Sequence, residues 1–366
     1  MPDDNASVSV VIPTYNERDN IHELLTRIQR SMESTRYTYE ILIVDDDSLD
    51  GTSQIAPHYS ESYPVRLIRR KGKRGLSMAV LEGINTSKYD IIVVIDADLQ
   101  HAPETVPELI SCVSKGTDIA IGSRFVESAA VETFGLVRRI ISRAADLLAR
   151  TLFRQIRSVK DVESGFFAFR RDVIKGTTLD PVGYKILLEI LILGNYSTIS
   201  EIPYKFNTRE AGVSKLGVKN SLQYARHMSS LFQRSGELHR FLRFAVVGAI
   251  GAVFNLAVLY ALAELGVFYL LAGFIGIEAG LLSNFFLNRS WTYKDRQKEG
   301  PGYVLTALYR DHAVRFVGII LNLAILWLLT SVFGLYYLTS QLIGIVVAMF
   351  WNYSGNQWWT WEPKAK

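Results

Sequence analysis

The stretch that decides the fold is Asp90-Ile-Ile-Val-Val-Ile-Asp-Ala-Asp98. Its five apolar residues in succession predict a strand buried on both faces, as in a parallel sheet covered by helices. Asp96 and Asp98 follow one residue apart, and their carboxylates repel each other unless a cation neutralises them. Hard divalent ions take oxygen ligands and often bridge a protein carboxylate to a substrate diphosphate. The stretch therefore predicts a metal site at a strand end, with a solvated loop or a helix cap as the structural alternative.

The same alternation of strands and helices precedes this stretch. Strands are predicted at 8–13, 39–44 and 65–68, and helices at 20–33 and 76–85. Three of the four strands end in polar or acidic clusters: Thr14-Tyr-Asn-Glu17, Asp45-Asp-Asp47 and Asp96-Ala-Asp98. Because ligands bind beyond the carboxyl ends of the strands in such sheets, we expect these clusters at one edge. The absence of G-x-x-x-x-G-K-[ST] and G-x-G-x-x-G argues against a P-loop or a dinucleotide site.

Charge is distributed unevenly along the 366 residues. Residues 1–240 carry 31 of the 40 Lys and Arg and 30 of the 36 Asp and Glu, as in an ordinary soluble domain. The length fits roughly two domains, and the formal net charge of +4 is too small to imply nucleic acid as a partner. The single cysteine, Cys112, cannot form an intrachain disulfide, which favours a reducing compartment for the globular part.

Long apolar runs dominate the last 126 residues. Because about 20 apolar residues span a bilayer, these runs predict an all-α membrane domain of four transmembrane helices, near 243–263, 268–289, 313–332 and 338–358. The loop 289–315 carries six Lys or Arg, whereas the two short connections between helices carry none. By the positive-inside rule we expect that loop, both termini and the soluble domain to be cytoplasmic, at the cell membrane in a prokaryote.

The membrane half also repeats itself. Asn255-Leu-Ala-Val-Leu-Tyr260 is matched 67 residues later by Asn322-Leu-Ala-Ile-Leu-Trp327, and a second match begins at Asn284 and Asn352. The repeat predicts two duplicated helical hairpins, and this half resembles the small GtrA-like membrane family linked to polyprenyl-linked sugars. Glu278, with Asn255 and Asn322, marks a polar path in the membrane or pairs locally.

Basic residues in the soluble half indicate phosphate contacts. Arg209 and Lys215 flank Gly212, which suits a mobile loop that closes over a diphosphate leaving group; a plain surface loop is the alternative. Arg138 and Ser142 lie four residues apart on a predicted helix and can reach one phosphate together, so with Arg124 they are candidates for the acceptor phosphate.

Two basic amphipathic helices are predicted, one at about 136–157 and one within 216–240. Such helices lie naturally on an anionic bilayer surface, and surface helices of the soluble domain are the alternative. We expect a catalytic domain at 1–215 that includes the first helix, a linker at 216–240 and the membrane domain at 241–366. The basic run 69–74 is interpreted as a solvated face, with Lys73 a weak candidate for the nucleotide.

Four motifs carry a resemblance to a known family: Val11-Ile-Pro-Thr-Tyr-Asn-Glu17, Val44-Asp-Asp-Asp-Ser-Leu-Asp-Gly-Thr52, Asp96-Ala-Asp98 and Arg209-Glu-Ala-Gly-Val-Ser-Lys215. Over roughly residues 6–225 the sequence resembles glycosyltransferase family two, and within it the dolichol-phosphate mannose synthases. The resemblance implies an α/β domain of GT-A fold, a nucleotide-sugar donor and a polyprenyl phosphate acceptor. Asp47 departs from the pattern, since the family usually has Gly there, and this puts the local turn in doubt.

The resemblance also implies site residues. Those expected to hold the guanosine are Pro13, Tyr15, Glu17, Val44 and Asp46. Those expected at the metal and diphosphate are Asp96, Ala97, Asp98 and Gln100, with Mg²⁺ or Mn²⁺ as the cation. Those that match family positions facing phosphates are Arg124, Arg209 and Lys215. Asp161 and Glu163 either orient the sugar or are structural.

The expected reaction is inverting transfer of mannose from GDP-mannose to dolichyl phosphate, giving a β-linked lipid phosphosugar at the cytoplasmic membrane face. A polyprenyl phosphate is already an anion near neutral pH, so it needs no strongly perturbed general base. Two alternatives stay open: a polyprenyl-phosphate glucosyltransferase that uses UDP-glucose, and a flippase whose soluble domain only binds. A processive polysaccharide synthase is disfavoured, because the Q-x-x-R-W signature is missing.

Overall fold

The computed structural model describes residues 6–60, 63–72, 75–125, 149–181, 183, 185–205, 218–298 and 300–362. The chain forms two compact units, Met1–Ser235 and Gly236–Lys366.

The first unit is built on a sheet of seven strands. These are β1 (Ser7–Thr14), β2 (Thr38–Asp45), β3 (Val65–Arg69), β4 (Ile91–Val94), β5 (Ile119–Ser123), β6 (Phe167–Arg170) and β7 (Ile199–Pro203). Their order across the sheet is β3-β2-β1-β4-β6-β5-β7. All pairs are parallel except those of β6, which is antiparallel to both β4 and β5. The mainly parallel α/β sheet predicted from the sequence is confirmed.

Helices cover both faces of this sheet. They are α1 (Arg18–Glu33), α2 (Thr52–Tyr59), α3 (Leu76–Thr86), α4 (Val106–Ser114), α5 (Ile186–Leu193) and α6 (Val218–Arg234). Side chains alternate along β1, so Val10 and Ile12 pack into the core beneath α1 and α4, whereas Val11 packs into the core beneath α3. Because both faces are covered, β4 is wholly apolar, and β1 has a single polar residue between its ends, the buried Ser9.

The strand register brings the predicted clusters to one edge. Thr14 pairs with Asp45 at the ends of β1 and β2. The backbone N–H of Ile95, just beyond β4, donates to Val11 of β1. The antiparallel strand β6 begins beside the end of β4, where Val94 pairs with Phe167. The loop before β6 therefore reaches the same edge as the carboxyl ends of its parallel neighbours.

The second unit consists of helices. They are α7 (Glu237–Glu264), α8 (Tyr269–Leu287), α9 (Pro301–Trp327) and α10 (Tyr337–Gly355). The last three continue into π-helical turns at Asn288–Thr292, Leu328–Val332 and Asn356–Thr360. α7 packs mainly on α8, and α9 packs mainly on α10.

Within the part of the chain that the structure describes, three segments are long and apolar enough to cross a membrane: Glu237–Glu264, Tyr269–Thr292 and Gly302–Val332. α10 is not among them, so the predicted count of four spanning helices stays a prediction. The predicted start of the third helix at residue 313 is wrong, because α9 begins at Pro301. The prediction followed the apolar run, whereas charged residues also form helix here, with Arg315 Nε donating to Asp311 one turn earlier at 2.7 Å.

The two helical pairs share a specific packing contact. A Cβ atom at any of four glycines would lie 2.2 to 2.7 Å from the side chain of an asparagine on the paired helix. The contacts are Gly251 with Asn284, Gly276 with Asn255, Gly318 with Asn352 and Gly344 with Asn322. Only glycine allows these helices to approach so closely, and the same contact occurs twice in each pair.

The predicted surface helices are described only in part. Residues 136–148 of the first lie outside the described residues, and a 3₁₀ turn spans Arg154–Ile156. The second corresponds to α6, whose Arg234 donates to the buried Glu189 of α5 at 2.7 Å.

Candidate active site

The ends of β1 and β2 are joined through the carboxylate of Asp45. This fully buried group accepts hydrogen bonds from Thr14 Oγ1 at 3.0 Å and from the backbone N–H of Ser48 at 3.0 Å. Ser48 Oγ donates to it at 2.5 Å and accepts from the N–H of Asn16. The loops that follow β1 and β2 therefore hold each other in place.

Two residues in these loops adopt the left-handed backbone conformation that favours glycine, Asn16 and Asp47, both at φ 58°. Asp47 therefore adopts the backbone conformation that would favour the glycine usual in the family at this position. Its side chain accepts two hydrogen bonds from Arg69, at 2.7 and 3.0 Å. These bonds lower the pKa of the Asp47 carboxyl below its ordinary value.

Asp46, a predicted nucleotide residue, is buried at this edge. Its carboxylate accepts from Arg70 Nη1 and from the N–H of Gly75, both at 2.6 Å. Burial raises the pKa of Asp46, and this outweighs the opposite effects of the Gly75 hydrogen bond and the Arg70 charge. The prediction that the basic run 69–74 is a solvated face is wrong for Arg70, which is only 7% exposed because it pairs with Asp46.

The remaining predicted nucleotide residues border the same edge. Pro13 and Val44 pair across β1 and β2 next to Asp45. Glu17 lies just beyond β1, where its carboxylate accepts from Asn20 at 2.8 Å. Tyr15 is half-buried between Thr14 and Asn16.

The predicted metal ligands occupy a tight turn after β4. Leu99 lies at φ 59°, and the N–H of Gln100 donates to Asp98 Oδ1 at 3.2 Å, which closes the turn. The Asp98 side chain is nearly buried, whereas that of Asp96 remains 27% exposed. A methyl group at Gly165, in the loop before β6, would lie 2.3 Å from Asp96 Oδ2. The main chain of that loop therefore fits closely against the Asp96 carboxylate.

Sequence reasoning missed two residues behind Asp96. His101 is buried, with Nε2 at 3.4 Å from Asp96 Oδ2 and Nδ1 at 2.6 Å from the hydroxyl of Tyr204. Burial raises the pKa of the Tyr204 hydroxyl, which keeps it protonated at neutral pH. The available signal was that His101 directly follows the acidic turn. Nothing in the sequence pattern indicates Tyr204, which lies 103 residues away.

Arg124 follows β5 and forms a bidentate pair with Asp161. Its Nε and Nη2 atoms each donate to one carboxylate oxygen at 2.8 Å, and its own N–H donates at 3.1 Å. Burial alone lowers the pKa of Arg124, but its bonds to Asp161 outweigh this effect and leave the pKa raised. Glu201 accepts from the N–H of Asp161 at 3.0 Å and so fixes the loop. In this structure Asp161 therefore orients Arg124.

Glu163 lies two residues further and pairs with the buried Lys185. The Lys185 ammonium also lies 3.6 Å from the centre of the Tyr224 ring, which adds a cation–π contact. Four other predicted phosphate ligands lie outside the described residues: Arg138, Ser142, Arg209 and Lys215. Lys73 also lies outside them.

The described residues fit a divalent cation that is completed by substrate. They contain no group of three or more His, Cys, Asp or Glu able to enclose a metal ion. Asp96 and Asp98 supply carboxylate oxygens, and the Gln100 side chain is half-buried beside them. Mg²⁺ is commonly held by one or two carboxylates together with substrate phosphates, and this donor set suits that arrangement.

Comparison with known proteins identifies the chain. The glycosyl transferase family 2 model matches residues 9–177, and the GtrA/DPMS transmembrane domain model matches residues 243–361. Dolichol-phosphate mannosyltransferase of Pyrococcus furiosus is 42% identical over 97% of this chain and 99% of its own length. The chain belongs to the dolichol-phosphate mannosyltransferase family. Both resemblances seen in the sequence are confirmed.

Other relatives carry the same family name. The dolichol-phosphate mannosyltransferase of Mycosarcoma maydis is 36% identical over 70% of this chain and 86% of its own. That of Saccharomyces cerevisiae is 34% identical over 61% and 86%. Among solved structures, glucosyl-3-phosphoglycerate synthase of Mycobacterium tuberculosis with Mn²⁺, UDP-glucose and phosphoglyceric acid is 20% identical. Its TM-score is 0.48, over 63% of this chain and 80% of that one.

The chain is thus a family-two glycosyltransferase with a membrane domain. The GT-A-like sheet and the acidic turn at Asp96–Asp98 lie in the segment matched by the glycosyltransferase model. All three apolar spans overlap the segment matched by the membrane-domain model.

Proposed function

We propose that this protein is an inverting mannosyltransferase that moves mannose from GDP-mannose to dolichyl or another polyprenyl phosphate. The observation that carries the proposal is the turn at Asp96–Asp98, fitted closely by Gly165 and backed by His101. It places two carboxylates at the strand edge that also bears Asp46 and Arg124, within a chain related to dolichol-phosphate mannosyltransferases.

The donor diphosphate would bind beside the acidic turn. Asp96, Asp98 and Gln100 would hold Mg²⁺ or Mn²⁺, which supplies positive charge to the phosphate oxygens of the leaving group. Pro13, Tyr15, Glu17, Val44 and Asp46 would surround the base. A carboxylate suits guanine, because guanine offers two adjacent N–H donors and a carboxylate has two acceptor oxygens. Arg209 and Lys215 would close over the diphosphate.

The acceptor chemistry then follows from charge. A polyprenyl phosphate oxygen carries negative charge at neutral pH and attacks the anomeric carbon directly, while the bond to the GDP oxygen breaks. Arg124, with Arg138 and Ser142, would align the acceptor phosphate in line with that bond. Attack from the face opposite the leaving group inverts an α-linked donor to a β-linked lipid phosphosugar.

The membrane domain indicates where this takes place. Polyprenyl phosphates are anchored in the bilayer, so the sheet edge must work close to the membrane surface. The six basic residues between 289 and 315 favour the cytoplasmic face for the catalytic domain and both termini.

The test is a donor-competition assay with the full-length protein. Radiolabelled GDP-mannose is supplied with a short polyprenyl phosphate, and unlabelled GDP-mannose or UDP-glucose competes. We expect label in the lipid phosphosugar fraction and competition by GDP-mannose alone. Stronger competition by UDP-glucose would assign a glucosyltransferase instead.

The metal requirement has its own control. Asp98→Ala should abolish transfer, whereas Asp172→Ala, which removes an exposed acid paired with Arg170, should leave it unchanged. Wild-type turnover in excess chelator would contradict the metal requirement.

A further inference from the structure

The membrane unit contains a cavity of about 360 Å³. Its walls are largely apolar, with contributions from Phe244 of α7, Ile319 of α9 and Ile345 of α10. A volume of this size lies within the range of small-molecule binding sites. It matters here because four polar side chains also line it: Asn288, Arg315, Asn322 and Asn352.

Each of these four side chains carries one buried polar atom without a partner in the described structure. Among the described residues, Arg315 Nη2 and the Oδ1 atoms of Asn288, Asn322 and Asn352 are buried without a hydrogen-bond partner. Asn288 is only 1% exposed. Polar groups that are buried and unpaired carry a substantial free-energy cost, and within a membrane segment such groups mark functional sites. Arg315 offers a charged donor and Asn288 offers an acceptor, whereas the Oδ1 atoms of Asn322 and Asn352 face Gly344 and Gly318 on the paired helix.

The guanidinium of Arg315 is fixed from one side. Its Nε donates to Asp311 Oδ2 at 2.7 Å, and Asp311 is fully buried one helical turn earlier. The pair compensates the buried charge of Asp311 and holds the guanidinium of Arg315 in place. Arginine with free Nη donors is the side chain best suited to a phosphate group, since it binds two oxygens at once.

The duplicated hairpins show that this charge is specific to one repeat. Gly251 and Gly318 occupy equivalent positions 67 residues apart, and the same offset relates Gly248 to Arg315. Both Gly248 and Arg315 line the cavity, yet only the second repeat carries a charge there. A Cβ atom at Gly248 would meet no atom within 4 Å, so this glycine is not required by helix packing.

We propose that this cavity binds a lipid headgroup that joins a phosphate to a hydroxyl-bearing group, such as a phosphopolyol or a phosphosugar. The phosphate accepts from Arg315, and a hydroxyl of the headgroup donates to Asn288. The lipid chains lie along the apolar wall, where Ile319 is 56% exposed and Ile345 is 48% exposed. The inference does not rest on the proposed transfer reaction, because it concerns the membrane unit and its readout is binding.

Binding is measured by native mass spectrometry of the full-length protein released from detergent. The probe is phosphatidylglycerol, and phosphatidic acid and phosphatidylcholine are the comparisons. We expect one tightly held phosphatidylglycerol. Phosphatidic acid should bind more weakly because it has no polyol hydroxyls in its headgroup. Phosphatidylcholine should bind more weakly because it has none either and carries a positive charge. A short-chain polyprenyl phosphomannose should displace the probe if the natural headgroup is a phosphosugar, and fail to do so if it is a phosphopolyol.

Two variants localise the site. Gly248→Leu fills the cavity without a packing clash, and Asp311→Asn with Arg315→Gln removes the charged pair together, so no buried acid is left unpaired. Each should weaken phosphatidylglycerol at least tenfold, which corresponds to about 1.4 kcal/mol. Gly273→Leu is the matched control, because a Cβ atom there also meets nothing and Gly273 does not line the cavity.

Equal affinity of wild type and Gly248→Leu for phosphatidylglycerol would overturn the proposal. Unchanged affinity of the Asp311→Asn, Arg315→Gln variant would overturn its phosphate component, and equal binding of phosphatidic acid or phosphatidylcholine by the wild type would overturn its hydroxyl component. If free glycerol phosphate displaced the lipid at the lipid's own concentration, the ligand would be a soluble phosphate.

Discussion

Replacing Gly165 with alanine tests whether the position of the Asp96 carboxylate controls catalysis. The added methyl group would lie 2.3 Å from Asp96 Oδ2 and 2.9 Å from its Cγ. Since carbon atoms in contact are normally separated by about 3.5 Å, the carboxylate must move by roughly 1 Å. His101 Nε2 lies 3.4 Å from Asp96 Oδ2, so a displacement of this size also alters that contact.

A displacement of about 1 Å in a catalytic group costs roughly a hundredfold in rate, or about 2.7 kcal/mol of transition-state stabilisation. We therefore expect Gly165→Ala to lower kcat of mannosyl transfer about a hundredfold. It should also raise the Mn²⁺ concentration needed for half-maximal activity. A thermal-shift titration with Mn²⁺ and GDP should show a weaker stabilisation than in the wild type, which gives a readout besides turnover.

The matched control is Gly83→Ala in α3. Its methyl group would lie 2.4 Å from Val11 Cγ1, a similarly close approach against an apolar core side chain. Overpacking of this kind costs about 1–3 kcal/mol of stability, but it leaves the acidic turn untouched. Gly83→Ala should therefore lower the melting temperature and keep the wild-type response to Mn²⁺. The reasoning fails if Gly165→Ala retains wild-type kcat, or if both variants lose the Mn²⁺ response equally.

Three further predictions follow from single contacts. Asp161→Asn weakens the bidentate pair that orients Arg124, so kcat should fall about tenfold to a hundredfold, as expected for the loss of about 1.5–3 kcal/mol. The control is Asp172→Asn, which changes an exposed acid and should leave initial rates unchanged. His101→Phe keeps a ring beside Tyr204 but removes the contact with Asp96, so half-maximal activation should require an Mn²⁺ concentration about 10–100-fold higher. An unchanged activation constant would show that His101 serves only in packing. Burial alone raises the pKa of Glu189, but hydrogen bonds from His227, the N–H of Asp180 and Arg234 lower it overall. The stabilisation that Glu189 contributes is therefore present above about pH 4.5 and is lost as the pH falls through the folded pKa. Amide hydrogen exchange in α6 should then accelerate at low pH in the wild type but not in Glu189→Gln.

The predictable part of the soluble unit is the part encoded locally. β4 forms from a continuous apolar run, and β1, β2 and β3 form from runs that a single polar residue interrupts; the predicted bounds differ from the observed ones by a few residues at most. The polar clusters directly follow these strands, so a parallel arrangement was enough to bring them to one edge. β6 was not predicted, because Phe-Ala-Phe-Arg is too short to show a periodicity and its antiparallel direction depends on tertiary packing.

The partners of the site residues could not be predicted, because they are distant in sequence. Asp161 lies 37 residues after Arg124, and Tyr204 lies 103 residues after His101. A lone acid or tyrosine in a loop carries no local signal of what it contacts. Arg70 was misinterpreted for a related reason: a basic run indicates a solvated face, and only the fold brings Asp46 close enough to bury one of its members.

In the membrane unit the repeat predicts packing, and departures from the repeat indicate function. Gly251, Gly318, Asn284 and Asn352 recur because two helical pairs need the same close approach, and a side chain at either glycine would collide with its asparagine. Selection for packing therefore accounts for what the repeats share. It does not account for Arg315, whose counterpart is a glycine where an added Cβ would meet no atom within 4 Å, and whose Nη2 atom has no partner among the described residues. A charge that lines a cavity and is paired with a buried aspartate is retained more readily for a ligand than for stability.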